Sequence, residues 1–410
     1  MQILPILIAL AVISVIAWAI QLIYWSVIRM AALRHTRRLQ ANPPIPVEAA
    51  PGVQPGVSVV VYAHNAGEAL VRNLPVLLNQ DYPDYEIIVV DDCSLDDTQE
   101  VLSVFEQRNS HVYHTRLTDK VCTISHRKLA MLLGVKAAHN NLILTLSAQS
   151  APADRQWISR MVRHFQPGTD IVLGPVTYEN RTSMMACLYS WDRLERLLDL
   201  FGLTLVTGAF AGWRQNMAFR RQVLFEQQNR AFASHLMIKP GEDDLFVAEV
   251  AKMHPGCVAV ESTPESVVID QDMPLSIVWS IDRLERAFTS RRYSRLPRLL
   301  VGLEHITRYL FLGATFAFIV LCVLMLSIFQ VQESQPLPMA EFLYAMGGVA
   351  LLLISRMLWI AIGAYSTCKA WNIHRFWLAP LNTDLLIPIF SLWFSIKASI
   401  KAKTFDVRRG

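Results

Sequence analysis

The stretch 57–97 constrains the fold of this chain more than any other part of its 410 residues. It begins with the apolar, β-branched run VSVVVYA, continues through a segment with helical spacing, and ends with the run YEIIVV followed by two aspartates. A strand, a helix and a second strand in this order form a parallel βαβ unit, whose ligands bind beyond the carboxyl ends of the strands. Asp91 and Asp92 are therefore predicted to lie at a binding crevice.

The same alternation of strand and helix patterns continues to about residue 269. Candidate strands are 57–63, 85–90, 141–147 and 170–174, and candidate helices lie near 67–79, 97–108, 126–138 and 154–165. Further along, 183–200 has the spacing of an amphipathic helix, 211–221 is predicted to be a loop that runs into a strand, and the run GEDD at 241–244 opens another helix. This order predicts an α/β domain over 57–275, with a Rossmann-like, mostly parallel sheet covered by helices on both faces.

Long apolar stretches flank this domain. Hydrophobic residues make up 53% of the chain, a share that indicates membrane spans as well as a core. Residues 1–28 are predicted to form a transmembrane helix, and the basic cluster after it places the N-terminus outside and the rest in the cytoplasm. A cleaved signal peptide is the weaker alternative, because a basic start is missing and the apolar run is too long. Residues 29–56, basic and then rich in proline, are predicted to be a linker.

The region after the domain is predicted to return to the membrane. Residues 276–304 interleave arginines with aromatic residues, which is typical of an amphipathic helix on an anionic membrane surface. Residues 305–366 are predicted to form a transmembrane hairpin, in which Arg356 faces protein or a polar cavity or reaches the membrane interface. Residues 367–410 hold a last apolar stretch, 376–394, that we expect to be re-entrant or interfacial, because a full span would place the basic C-terminal tail outside.

Two groups of carboxylates are candidates for chemistry. Asp91 and Asp92 can accept hydrogen bonds from a base or a ribose, although a helix N-cap also explains acids at this position. Glu242, Asp243 and Asp244 begin a helix, where acids also stabilise the helix dipole. An ionised carboxylate on such a rigid element is what a general base requires. Both interpretations stay open for each group.

Basic residues supply a second kind of candidate. Arg283 and Arg286 could stabilise the negative charge of a departing diphosphate, although contact with lipid head groups is the interpretation that their surroundings favour. Lys128 belongs to a basic run at a helix start, where phosphate can bind, although such a run is commonly just a solvated helix start. The formal net charge is only +4, and we expect no nucleic acid partner.

The order and spacing of five motifs resemble those of membrane-anchored bacterial glycosyltransferases of family two. The motifs are VSVVVYAHN, LLNQDYPDYEIIVVDDCSLDD, HRKLAMLLGVKAA, RQNMAFRR and GEDDLFVAEVA, and the resemblance spans about 57–293. It implies a GT-A fold and transfer of a sugar from a nucleotide diphosphate donor, usually with inversion at the anomeric carbon. The implied partners are that donor, a glycan or lipid-linked acceptor and membrane lipids. The implied location is the bacterial inner membrane, with the catalytic domain in the cytoplasm.

The resemblance also implies roles for individual residues. Asp243 would take the proton from the acceptor hydroxyl, with Glu242 beside it and Asp244 as the alternative if the register is shifted by one. Arg283 and Arg286 would stabilise the leaving group. The implied contacts with the nucleotide sugar are Ala63, His64, Asn65, Asp91, Asp92, Lys128, Ser147 and Gln149.

The family's metal motif, Asp-any-Asp at the end of a strand, is replaced in this chain. Ser147 and Gln149 stand at its two positions, although Pro152 and Trp157 follow as in the family. Mg²⁺ or Mn²⁺, the usual ion of the family, prefers carboxylate oxygens, so the replacement should weaken its binding severely. We therefore predict no metal ligand. A glutamine that the family carries near Trp279 is missing too.

Three functional interpretations remain. In the first, the chain is an active transferase in which Lys128, Arg283 and Arg286 replace the metal. In the second, it is a degenerate transferase that binds a nucleotide sugar or a partner without turnover. In the third, the membrane part carries a glycan outward. This third interpretation is the weakest, because three spans alone make a poor channel. Asp92 and Asp243 favour the first, because they are predicted to face one sugar donor across a shared gap.

Overall fold

The computed structural model describes residues 3–45, 54–118, 125–179, 183–225, 238–272, 276–331, 339–373 and 379–401. The strands in these segments are β1 (Val57–Ala63), β2 (Tyr85–Asp91), β3 (Val112–Arg116), β4 (Leu142–Ser147), β5 (Ser150–Pro152), β6 (Ile171–Leu173), β7 (Val176–Tyr178), β8 (Met217–Arg220), β9 (Val258–Val260) and β10 (Val268–Asp270). The α-helices are α1 (Ile3–Tyr24), α2 (Met30–Ala41), α3 (Gly67–Leu77), α4 (Thr98–Arg108), α5 (His126–Ala137), α6 (Trp157–Val162), α7 (Met184–Thr207), α8 (Arg221–Phe225), α9 (Asp244–Met253), α10 (Ser276–Thr289), α11 (Arg295–Val331), α12 (Met339–Ala370) and α13 (Ala379–Ile400).

Seven strands form one sheet in the order β3-β2-β1-β4-β8-β6-β9. Only β8 runs antiparallel to its neighbours, β4 and β6, and the other pairs in this sheet are parallel. The valines of β1 alternate between two buried clusters, with Val59 and Val61 on one side and Val60 on the other. Burial on both faces is expected of a parallel strand covered by helices. The predicted α/β fold class, a mostly parallel sheet with apolar helices beside it, is confirmed.

Five strands were missed in the sequence. β5, β7, β9 and β10 have three residues each, which is too short for an alternating pattern to be recognised. β3 lies at the edge of the large sheet and reads VYHTR, with only its first residue buried. An edge strand carries few apolar residues, so its composition resembles that of a loop.

The N-terminal helix extends beyond the predicted span. A π-helical turn, Trp25–Arg29, joins α1 to α2, so the chain stays helical as far as Ala41. The linker predicted over 29–56 therefore begins later, because α2 is amphipathic and buries Leu33 and Leu39 while its arginines stay exposed. Residues 46–53 of that linker lie outside the described residues.

In the part of the chain that the structure describes, three helices are long and apolar enough to cross a membrane: Pro5–Ala41, Arg295–Ser327 and Leu343–Ala370. The two later spans fall where the hairpin was predicted, but α11 begins at Arg295, inside the predicted interfacial segment. That segment is thus divided between α10 and the first turns of α11. The connection between α11 and α12 (332–338) and the end of the basic tail (402–410) lie outside the described residues.

Buried ion pairs join the apolar helices to each other and to the α/β domain. Arg356 on α12 forms two hydrogen bonds with Asp384 on α13, and its Nε donates to Gln21 on α1 at 3.0 Å. Arg356 was predicted to face protein, to face a polar cavity or to reach the membrane interface. The structure shows that it faces protein. Arg29 pairs with Glu195 and Asp199 of α7 at 2.8 and 2.7 Å.

Candidate functional site

Asp91 and Asp92 lie at the carboxyl end of β2, as the βαβ pattern predicts. Asp91 is buried, and its Oδ1 accepts a hydrogen bond from the Ser94 amide at 3.1 Å, so this carboxylate holds the following loop in place. Asp92 accepts hydrogen bonds from Tyr62 Oη at 2.5 Å and from His126 Nδ1 at 2.7 Å. Burial and the Asp92 carboxylate raise the pKa of Tyr62, which keeps its phenol protonated as a donor.

The loop that follows β1 forms a rim with the loop after β2. Asn65 has a φ of +45°, and its amide donates to Ser94 Oγ at 2.8 Å. His64 Nδ1 contacts the carbonyl oxygen of Asp92 at 2.6 Å, and the carbonyl of Ala63 accepts a hydrogen bond from the Asp92 amide. The side chains of His64 and Asn65 are exposed at this rim, where a nucleotide can reach them.

A small cavity of about 50 Å³ lies beside this rim, between β1, β4 and α5. Tyr62, Ser147, Arg127, Arg214 and Glu242 are among the residues that line it. The strand register explains part of this arrangement, because Tyr62 on β1 and Ser147 on β4 are paired neighbours at the same edge of the sheet. The hydrogen bond from Tyr62 connects the cavity to Asp92.

The residues at the position of the metal motif do not fit Mg²⁺ or Mn²⁺. Ser147 Oγ donates to Gln149 Oε1 at 2.6 Å, and neither side chain is anionic. Glu242 is the acid in the lining of the small cavity, and it is already paired with Arg214 at 3.1 Å and with Arg127 at 3.8 Å. Hard divalent ions need several free oxygen ligands, which this set does not supply.

A different group has ligand atoms within 4.8 Å of one another: Asp92, Cys93 and His126. A thiol and an imidazole favour softer ions than Mg²⁺ or Mn²⁺. This group therefore does not replace the missing Asp-any-Asp motif.

Arg127 and Arg214 supply guanidinium groups to the small cavity. Arg127 belongs to the basic run 126–128 that was expected to meet phosphate or to be a solvated helix start, whereas no role was predicted for Arg214. Arg127 lies in the first turn of α5, in the basic run that was noted for its neighbour Lys128. Arg214 lies in a short 3-10 turn before β8, within the RQNMAFRR motif. Both side chains are about one-third exposed, so a ligand can contact them. Their position beside Ser147 places positive charge where the family's metal motif would stand.

Lys128 occupies a different position from the predicted one. Its side chain is buried, and its Nζ donates to the carbonyl oxygens of Ile238 at 2.7 Å and Pro240 at 3.2 Å. Burial lowers the pKa of this ammonium to about 8. Lys128 thus anchors the backbone just before the GEDD motif, and it is not among the described residues that line the small cavity.

The three consecutive acids of the GEDD motif have three different surroundings. Glu242 lines the small cavity. Asp243 is the N-cap of α9, and its two carboxylate oxygens accept hydrogen bonds from the amides of Asp244 at 2.8 Å and Arg214 at 3.1 Å. Asp244 lines a second, larger cavity of about 470 Å³. The motif therefore combines a structural role, the helix cap at Asp243, with two acids, Glu242 and Asp244, that line cavities.

Asp244 is held by three donors in the larger cavity. Tyr293 Oη donates to it at 2.6 Å, Thr289 Oγ1 at 3.0 Å and Arg286 Nη1 at 3.4 Å. Burial and the neighbouring charge of Asp243 raise the pKa of Asp244 to about 6 despite these donors. A carboxylate that titrates near neutral pH has the acidity that suits a general base.

Arg283 and Arg286 line the same cavity, where they contact carboxylates inside the protein. Arg286 lies 3.3 Å from Asp282 and 3.4 Å from Asp244, and Arg283 lies 2.9 Å from Asp192. These two side chains therefore face a cavity and acids of the protein, instead of lying on the open membrane surface that was the favoured interpretation. The sequence did not reveal the acids that attract them, because Asp192 and Asp244 come from distant parts of the chain.

Asp92 and Asp243 were predicted to face one donor across a shared gap. The structure gives a less direct relation between them. Asp92 bonds to Tyr62, Asp243 bonds to the amide of Arg214, and both Tyr62 and Arg214 line the small cavity. Each predicted acid therefore stands one residue behind the cavity surface.

Residues 58–224 match the family model described as glycosyl transferase family 2. The match covers less than half of the chain, and it agrees with the glycosyltransferase class that the motifs indicate. The matched region includes the Asp92 rim, Arg127, Ser147 and Arg214, but it ends before the GEDD motif.

Similarity to individual proteins is more distant. A stretch of 60 residues is 33% identical to the putative teichuronic acid biosynthesis glycosyltransferase TuaG of Bacillus subtilis, and it covers 15% of this chain and 24% of that protein. The mannosyltransferase PcManGT of Pyrobaculum calidifontis, solved with GDP-Man and Mn²⁺, is 17% identical, with 92% of this chain and 99% of that chain covered and a TM-score of 0.47. The glucosyl-3-phosphoglycerate synthase of Mycobacterium tuberculosis is 16% identical over 58% of this chain and 80% of that chain, with a TM-score of 0.39.

Proposed function

We propose that this chain is a membrane-bound glycosyltransferase that moves a sugar from a nucleotide diphosphate donor to a glycan or lipid-linked acceptor, with inversion and without a divalent metal. One observation carries the proposal. Within a family 2 domain, two guanidinium groups, Arg127 and Arg214, line the cavity beside Ser147, where the metal motif would stand. Fixed positive charge can stabilise a departing diphosphate in place of an ion.

The donor is proposed to bind across the carboxyl edge of the sheet. Asp92 and the exposed rim at His64 and Asn65 hold the base and ribose, since they lie at the crevice beyond β1 and β2. The diphosphate then reaches the small cavity and its two guanidinium groups, Arg127 and Arg214. Each arginine exchanges part of its ion pair with Glu242 for contact with phosphate oxygens.

The transfer itself is a single displacement. The acceptor hydroxyl oxygen forms a bond to the anomeric carbon as the bond from that carbon to the diphosphate oxygen breaks, and the diphosphate leaves with the electron pair. Asp244 takes the hydroxyl proton, because it lines the larger cavity and its pKa of about 6 leaves it ionised at neutral pH. Asp243 positions the site through its bond to the Arg214 amide.

The location follows from the apolar helices and from the basic residues. Within the described parts of the chain three helices are long enough to span a bilayer, and the basic cluster after the first predicted span supports a cytoplasmic α/β domain. We infer the bacterial inner membrane, with a role in making a polysaccharide of the cell envelope.

The test is donor turnover by the purified full-length chain. UDP-Glc, UDP-GlcNAc and GDP-Man are each incubated with the protein in excess EDTA, and release of the nucleoside diphosphate is measured. We expect release from at least one donor to persist in EDTA. Release that needs added Mn²⁺ would contradict the metal-free mechanism and leave the transferase assignment in place.

A degenerate transferase that binds without turnover is the second candidate. It is favoured by the N-cap role of Asp243, because both of its carboxylate oxygens are used by backbone amides. This candidate predicts that a nucleotide sugar raises the melting temperature while no nucleoside diphosphate is released. Thermal shift and release assays on the same protein preparation separate the two candidates.

A further inference from the structure

The larger cavity lies between the family 2 domain and the apolar helices. Its walls come from α7, α10, α11 and α13, and its volume of about 470 Å³ falls in the range of about 300–1,000 Å³ typical of ligand sites. Of these elements, α11 includes one of the three candidate membrane spans. A molecule in this cavity would thus contact both the domain that carries the proposed chemistry and a helix that can cross the bilayer.

The lining of the cavity is amphipathic. One part of it is the cluster of Asp244, Arg286 and Tyr293, whose side chains bond to one another. The helices α11 and α13 contribute apolar side chains to the same lining. These are Val301, Ile306, Ile387, Leu392 and Phe394. A ligand that matches this surface has a polar head and a hydrocarbon chain.

Two buried donors in the lining have no acceptor within hydrogen-bonding reach among the described residues. They are the indole Nε1 of Trp213, a residue that is 2% exposed, and the Nε of Arg283. Both residues line the cavity. A buried donor without an acceptor is destabilising, so such groups commonly meet a ligand or water. The two donors match oxygen atoms on the head of the ligand.

We propose that this cavity binds the acceptor as a lipid, with its oxygen-rich head at Asp244, Trp213 and Arg283 and its hydrocarbon chain between α11 and α13. The inference rests on the proposed transferase function and adds the class of acceptor. It explains why the proposed base lies in a different cavity from the diphosphate contacts. The acceptor hydroxyl comes from the membrane side, and the donor comes from the edge of the sheet.

Gly302 allows the cavity to be filled without changing any charged residue. It lines the cavity, and a Cβ at this position would meet no heavy atom of the described residues within 4 Å. Gly313 on the same helix has equally open space but is not in the lining, so it provides a matched control. Leu392→Trp fills the cavity from α13 and serves as the second variant if Gly302→Phe does not fold.

The experiment uses the full chain in phosphatidylcholine nanodiscs with a benzophenone derivative of farnesyl phosphate, and with the corresponding derivative of dodecyl glucoside as a second head group. After photolysis, labelled peptides are mapped. We expect labelling on α11 and α13 from at least one probe, reduced at least tenfold in Gly302→Phe and unchanged in Gly313→Phe. The more strongly labelling probe identifies the head group as phosphate or sugar.

Labelling that is equal in wild type and both cavity variants, or that maps elsewhere, would overturn the lipid site. Labelling needs no donor, so this result is independent of turnover. If the cavity is labelled as expected while no nucleotide sugar is hydrolysed or transferred, the lipid site stands and the transferase proposal fails. If nucleoside diphosphate is released but the cavity is not labelled, the transferase stands and its acceptor is not this lipid.

Discussion

Asp243 and Asp244 are adjacent, yet their carboxylates contact different groups. Asp243 accepts two backbone amides, whereas Asp244 accepts side-chain donors at the edge of the larger cavity. The family resemblance alone favours Asp243 as the base. The contacts in the structure favour Asp244, because its carboxylate faces space that an acceptor can enter.

Asp244→Asn is expected to lower the transfer rate by about 10²–10⁴-fold, the usual contribution of a general base. The wild-type rate should fall as the pH drops through about 6, because the raised pKa of Asp244 means that the carboxylate takes up a proton there. The pH profile of nucleoside diphosphate release, measured with saturating donor, checks both effects. Asp243→Asn is the comparison: its single amide oxygen can still cap the Asp244 amide, but its NH2 group cannot accept from the Arg214 amide, so we expect a loss of activity that is smaller than for Asp244→Asn. The opposite result would restore Asp243 as the base.

Arg127→Ala and Arg214→Ala are each expected to lower the rate by about 10²-fold, as loss of one charge-stabilising donor does in other active sites. Both variants should bind UDP more weakly than wild type while their affinity for uridine changes little, because only UDP carries the diphosphate. Isothermal titration checks this difference. Arg72→Ala is the matched control, because Arg72 pairs with Asp272 on an exposed surface. Equal loss of UDP and uridine binding would show a structural role instead.

The site residues that the sequence identified are those whose roles follow from local pattern. Asp92 could be placed because a buried strand precedes it directly. The use of Lys128 could not be predicted, because its partners are carbonyl oxygens of Ile238 and Pro240, more than a hundred positions away. The role of Arg214, and the choice of Arg127 over Lys128 in the basic run, could not be predicted for a similar reason, since the cavity forms only when α5, β4 and the turn before β8 meet.

At the scale of elements, α5 supports the loop that leads into α9. Lys128→Met is expected to destabilise the protein by about 1–3 kcal/mol, because the carbonyls of Ile238 and Pro240 lose a buried donor. Thermal unfolding measures this loss, and the affinity for UDP should stay near the wild-type value. Lys136→Met, on the same helix, is the control. Weaker UDP binding at unchanged stability would instead support the donor-site role first expected for Lys128.

Long elements with clear periodicity were predicted well, and short ones were not. The strands β1, β2 and β4 and the helices α3 to α5 lie within about two residues of their predicted bounds. The boundary between the interfacial segment and the second apolar helix could not be placed, since α11 is one uninterrupted helix from Arg295. The sequence composition shows where a helix becomes apolar, but the residue at which α11 begins depends on how the helix packs against the rest of the protein.

At the scale of the whole molecule, Arg356 and Asp384 hold α12 against α13. Asp384→Ala is expected to destabilise the protein by about 3–5 kcal/mol, because it leaves a buried guanidinium without its carboxylate. The double variant Arg356→Met/Asp384→Leu should recover most of that loss. Unfolding in a mild detergent, followed by tryptophan fluorescence, provides the measurement. If the double variant is as unstable as Asp384→Ala, the ion pair itself stabilises the protein and an apolar pair cannot replace it.

The three acids of the GEDD motif have different roles, and this difference restricts how the segment can change during evolution. Inserting or deleting one residue before α9 would give the N-cap position of α9 to a different residue. The remaining acids would then point away from the small and the larger cavity. A substitution alters one of these tasks, but a change in length disturbs all of them together. Homologues that share this arrangement should therefore vary in the surrounding residues while they keep the same number of residues between the Lys128 anchor point at Pro240 and the first turn of α9.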